Sequence, residues 1–250
     1  MTTRTAPTDE ALTPLQQDLV ALLEATRGAE HDLFGALGEA GLASPVGEEG
    51  WTAKDVRAHL AAWRSIEARR LLSAAGQGPA EPADPPSDEP VDESNARIHS
   101  DRASWPSLQV ARAADASIDE LVSAIRASSN EALCECDDIA AGIGANGVNH
   151  ALGHLSDIAR LANAEDRYAA FASDVEAVLA RNHLLPRDSG VMLYNMACHS
   201  ALGRTDDARR LLATAFARRA DLREYADHDP DLASLGPGLE SPRPDPALDQ

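Results

Sequence analysis

His150 and His154 stand four residues apart, so on one helix their imidazoles lie one above the other and can reach a single metal ion. Spacing alone is modest evidence, since eight histidines scattered over 250 residues give about 0.25 such pairs by chance. His59 supplies the context. It belongs to a stripe of Val56, His59, Leu60, Trp63, Ile66 and Leu71 whose three- and four-residue steps put it on the buried face of another helix. Three neutral nitrogen donors meeting between helices form a common kind of metal site. Three protein ligands also leave coordination positions open, the pattern of a reactive rather than a structural zinc site. Because imidazole must be neutral to bind, affinity is expected to fall below about pH 6.5.

Other polar residues near these positions carry two readings each. Glu67, one turn beyond Trp63, is either a carboxylate at the solvated edge of the stripe or a group behind the site, and it stays outside the ligand set. Asp157 either orients a ligand imidazole or serves the helix surface. His31, His99, His183, His199 and His228 read as structural or surface histidines. Trp51, Trp63 and Trp105 read as core and loop anchors, with pocket lining as the alternative. Cys134, Cys136 and Cys198 are odd in number and lack C-x-x-C spacing, so neither a disulfide framework nor a thiolate zinc site is indicated.

The elements that must position these groups are helical. Alanine and leucine dominate while β-branched and aromatic residues are sparse, and 44% hydrophobic content is enough for a real core. Apolar steps from Leu15 to Leu42 predict a first helix, with Gly38 and Gly41 as stop signals. Thr52 and Asp55 form the two ends of a capping box that starts a second helix running to about Ala75. The stretch from Gly76 to Pro90 reads as a long connection. A third, interrupted helix breaks at Trp105-Pro106, and a glycine-rich turn from Gly142 to Gly147 precedes a fourth helix carrying His150 and His154. The pattern then shortens to helices at about 166–182, 189–202 and 205–219. Leu193 to Ala197 followed by Ala201 to Ala208 resembles a tetratricopeptide helix pair. The expected fold is thus all-α, a four-helix bundle over 15–163 and a short tetratricopeptide-like segment over 164–236. Residues 1–14 and 237–250 are expected to be disordered, and Asp229-Pro230-Asp231-Leu232 reads as a cap before the tail.

The net charge of -19 disfavours binding to phosphate backbones and anionic lipid, so no direct nucleic-acid partner is expected. No apolar run approaches the ~18–20 residues of a membrane span, and Met1 to Glu10 lacks a signal-peptide core. A cytoplasmic location without a membrane partner follows as the expectation.

Three stretches together resemble the DinB/YfiT-like superfamily: Gly50 to Trp63, Asn95-Ala96-Arg97-Ile98, and His150 to Ile158. The resemblance spans roughly residues 15 to 163, and within the superfamily the ClbS/DfsB family and the mycothiol-dependent maleylpyruvate isomerase N-terminal domain are nearest. It implies a DinB-like bundle with a divalent ion, zinc or nickel, on His59, His150 and His154. The maleylpyruvate isomerase branch has glutamate where this chain has His150. The resemblance also implies a low-molecular-weight thiol as co-substrate. On this basis the first functional expectation is a metal-dependent thiol transferase or hydrolase that activates water or a thiol for attack on a small electrophile. The alternative is a non-catalytic binding or scaffold protein that docks a protein partner on its C-terminal helices, and a homodimer is compatible with either.

Overall fold

The computed structural model describes residues 12–47, 50–76, 89–135, 142–201 and 203–236. Most of the expected disordered N-terminus, the part of the long connection at residues 77–88, Cys136, Leu202 and the tail after Gly236 lie outside the described residues. What is described is almost wholly helical, as expected.

Helix α1 spans Pro14–Leu42 and opens with a capping box between Thr13 and Gln16. Gly38 bends it instead of ending it, adopting a φ of 63° that a residue with a side chain rarely tolerates. A two-residue pair of strands, β1 (Pro45–Val46) and β2 (Trp51–Thr52), follows in antiparallel register with Val46 opposite Trp51. Helix α2, Ala53–Ala74, starts directly from this pair. Thr52 Oγ1 accepts from Asp55 N at 3.2 Å and Asp55 Oδ2 accepts from Thr52 N at 3.1 Å, the reciprocal cap read from the sequence, worth about 1 kcal/mol. The strand pair and cap together fix Trp51 at the entry to the helix that carries His59.

Helices α3 (Val91–Arg102) and α4 (Ser107–Ala127) are the two pieces of the interrupted third helix, and a short α5 (Asn130–Glu135) follows. The expected turn at Gly142 to Gly147 is instead helical, with a π-helical turn at Ala145–Asn149 running straight into α6, His150–Ala162. Here the glycines serve close approach. A Cβ at Gly147 would sit 3.1 Å from Leu23 Cδ2, so a bare backbone lets the π turn settle between α1 and α4. Asn163 ends α6 in the left-handed region at φ 50°, a conformation asparagine tolerates.

Helices α7 (Glu165–Leu179), α8 (Pro186–Ser200), α9 (Thr205–Arg218) and α10 (Leu222–Ala226) follow, with a 3-10 turn at Pro230–Leu235 capped by Asp229. α2 packs chiefly on α4, α1 on α4, α6 and α7, and α8 on α9. The expected division at 163/164 coincides with the end of α6, yet one buried cluster continues across it. Leu22, Leu121 and Leu152 share that cluster with Phe171, Leu193 and Leu212. Among the described residues no helix is long and apolar enough to cross a membrane.

Candidate metal centre

The stripe on α2 is buried as its spacing requires: Val56, His59, Leu60, Trp63, Ile66 and Leu71 are all below a tenth exposed. His59 therefore points at α6, whose first turn presents His150 and whose second presents His154. The π turn aims the first of these. His150 N–H donates to Ala145 O, five residues back, which widens the helix by one residue immediately before this imidazole.

The three imidazoles converge through the same nitrogen. His59 Nε2 lies 3.0 Å from His150 Nε2, and His154 Nε2 lies 3.1 Å from it. All three ligand atoms fall within 4.8 Å of one another. Nitrogens about 2.0–2.1 Å from one tetrahedral zinc would stand about 3.3 Å apart, so the spacing needs only a small breathing motion to hold an ion. The donor chemistry fits as well. Neutral imidazoles meeting at Nε2 can make at most one hydrogen bond per contact, whereas a divalent cation uses every converging lone pair at once. Among the described residues no fourth side chain joins this group.

Aromatic packing sets the ring orientation of His59. Its Nδ1 is buried without a partner, while Trp51 meets the ring edge-on at 4.9 Å and Trp63 at 6.4 Å. His99 stacks on the outer face of Trp51 at 5.1 Å, which explains its place better than a surface role. Trp63 is fixed in turn by donating from Nε1 to Asn95 Oδ1 at 3.1 Å.

Burial pulls the His59 imidazole down to about 2, helped by His150 and His154. His150 is pulled down to about 3 by burial, then by His154 and by Arg64, whose guanidinium forms a buried pair with Glu30 at 2.6 Å. Residue type alone places the onset of proton competition at the ordinary histidine pKa. For His59 and His150 the surroundings move that onset far lower.

No family model, curated protein or solved structure matches the chain. The site therefore stands on its own geometry.

His150 and His154 line a cavity of about 1200 Å³ that α8 and the 229–234 stretch close on the far side. Asp157 faces this cavity too, paired with Arg160, which favours the helix-surface reading over orientation of a ligand. Across the cavity Cys198 Sγ, Asp229 and Asp231 cluster, with Cys198 and Asp229 already bonded to each other and to neighbours. Asp229 accepts from Tyr194 Oη at 2.7 Å, from Cys198 Sγ at 3.7 Å and from Asp231 N at 2.9 Å as the 3-10 cap. Burial and these carboxylates push the Cys198 thiol up, keeping it protonated.

Two residues have places that sequence reasoning did not single out. His199, read as structural or surface, lines the cavity opposite the triad. The available signal was Asn195 and His199 four apart on one helix, repeating the spacing of Asn146, His150 and His154. Glu67, read as either at the solvated edge of the stripe or behind the site, is fully buried, which removes the first reading. Its carboxylate faces the backbone of Gly142, where a Cβ would collide with Oε2, and its one hydrogen bond is a long 3.4 Å from Asn146 Nδ2.

Burial raises the Glu67 carboxyl from 4.5 to about 7, against smaller opposing effects of Arg70 and Asn146. A folded pKa above the unfolded one contributes stability that is complete below about 4.5 and lost as pH rises through 7. Glu67→Gln removes the ionisation, so it is expected to stabilise the chain by about 1–3 kcal/mol at pH 8 and by almost nothing at pH 4. Urea unfolding of both proteins at the two pH values reads this, and parallel pH profiles would contradict it.

Proposed function

We propose that the chain is a metal-dependent enzyme built on a DinB-like four-helix bundle. In this reading it activates water or a low-molecular-weight thiol for attack on a small electrophilic substrate, as a thiol transferase or hydrolase. The observation that carries the reading is the convergence of His59, His150 and His154 beside a large cavity with no fourth protein ligand among the described residues. A divalent ion, zinc or nickel, would supply Lewis acidity there, bringing the pKa of a coordinated water or thiol toward neutrality. Asn95, Asn146 and Asn149 offer amide donors and acceptors around the cavity, and Trp63 presents an apolar edge to it. These groups orient a polar substrate without adding charge.

The C-terminal helices, which carry the tetratricopeptide-like pattern, serve in this reading as the far wall of the reaction cavity. The scaffold alternative needs a free groove on them. Contact of α8 with α9, with α6 and with the π turn favours the wall instead.

Two probe reactions test the proposal: hydrolysis of p-nitrophenyl acetate, and transfer of 2-mercaptoethanol to 1-chloro-2,4-dinitrobenzene. Zinc- or nickel-loaded protein is expected to exceed chelator-treated protein by about 10²-fold or more in at least one of them. Equal rates before and after metal loading would contradict the reading.

A further inference from the structure

Among the titratable groups that line the cavity, most are already committed. Asp157 pairs with Arg160 and Arg204 with Asp207. Tyr168 Oη donates to Leu152 O at 3.1 Å, and Cys198 turns its thiol to Asp229. The imidazole of His199 is different. It is partly buried on α8, and its ring nitrogens make no hydrogen bond with the described residues.

Its position is fixed relative to the triad. A Cβ on Gly153, the residue just before His154, would lie 3.8 Å from His199 Nε2, so this nitrogen faces α6 one residue from His154. The Tyr168 ring meets His199 edge-on at 6.4 Å and 90°. One turn earlier on α8, Asn195 Nδ2 donates to Asn149 Oδ1 at 2.9 Å, which ties α8 to the π turn immediately before His150. The same helix contact that closes the cavity thus places this imidazole on the cavity that His150 and His154 line.

We propose that His199 is the proton acceptor of this centre: it takes the proton of the nucleophile that reacts at the face of His59, His150 and His154. The inference rests on the functional reading above. The O–H or S–H bond of the nucleophile breaks and its proton moves to His199. The oxygen or sulfur then bonds to the electrophilic carbon, and the leaving group departs with its electron pair. His199 returns the proton to the leaving group or to solvent in the cavity. Imidazole suits this task because it exchanges protons near neutral pH. The charged or titratable groups around it are Asp157, Arg160 and His154 on α6, Tyr168 on α7 and Asp231 in the 3-10 turn. Burial lowers its pKa, and Asp157 and Asp231 draw it partly back. The resting ring is therefore neutral and free to accept.

The test uses the full chain loaded with zinc or cobalt. His199→Gln keeps the size and polarity of the side chain, and it is expected to retain one metal ion per chain and an unchanged far-UV spectrum. Turnover of the responsive probe should fall about 10²-fold. Added 1,2-dimethylimidazole, a base that coordinates metals poorly, should restore it with saturation. In cobalt-loaded wild type, the His199 ring protons, assigned by their absence from the variant, should show a pseudocontact shift. Undiminished turnover in the variant, a loss the added base leaves unrestored, or a His199 ring unmoved by cobalt would each overturn the inference alone. Failure of the wild type to turn over either probe would overturn the parent reading and this inference with it.

Discussion

His59→Ala, His150→Ala and His154→Ala each lower divalent-ion affinity by about 10²- to 10³-fold. Structural zinc sites with four ligands bind with roughly 10–16 kcal/mol, or about 3–4 kcal/mol per ligand, and 1.4 kcal/mol is a factor of ten. The loss should be similar at all three positions, because each contributes one Nε2 to the same point. His183→Ala serves as a control. That imidazole pairs with Asp18 at 2.9 Å on the α1 side of the molecule, and its removal should leave affinity unchanged. Competition titration against a chromophoric chelator measures all four variants. Wild-type affinity in any of the three triad variants would remove that residue from the ligand set.

The second large effect concerns acid. His59 and His150 are held neutral when folded, with pKa values pulled from 6.5 to about 2 and about 3, while the unfolded chain protonates them normally. A depressed folded pKa means that stability is fully present above 6.5 and is lost progressively as pH falls toward the folded values. At pH 5 each residue lies about 1.5 units below its unfolded pKa, which amounts to about 2 kcal/mol each and about 4 kcal/mol together as an upper bound. For a domain of ordinary stability, about 5–15 kcal/mol, that is a large fraction. Chelator-treated protein should therefore show a steep drop in urea midpoint between pH 7.5 and 5. Zinc loading should protect it, since an ion bound only by the folded state adds stability by mass action. A flat midpoint across this range in the chelated protein would contradict the uncharged state of His59 and His150.

Much of the local structure was legible in the residues because local chemistry determines it. Thr52 with Asp55, and Asp229 ahead of its 3-10 turn, are contacts over two or three residues, and any chain carrying them at a helix start gains the same cap. The histidine triad was legible for a related reason. The stripe through Val56 and Leu60 fixes which way His59 faces, and a four-residue step fixes His150 against His154. The burial of Glu67 was left open because it depends on Gly142, far along the chain, leaving room for a carboxylate. The glycines near 142–147 looked like a turn because glycine usually marks one. At Gly147 the missing side chain instead admits Leu23 and Leu121, a reason visible only once three helices are packed. His199 was overlooked because the wall it belongs to forms between segments that the sequence suggested were separate.

X-ray absorption at the zinc edge of the loaded full-length chain tests the central claim most directly, since it counts ligands without reference to any reaction. The account predicts one zinc per chain with three imidazole nitrogens at about 2.0–2.1 Å, and only light non-protein donors completing the shell. A sulfur scatterer at about 2.3 Å, a shell with fewer than three imidazoles, or protein that takes up no stoichiometric zinc would contradict it.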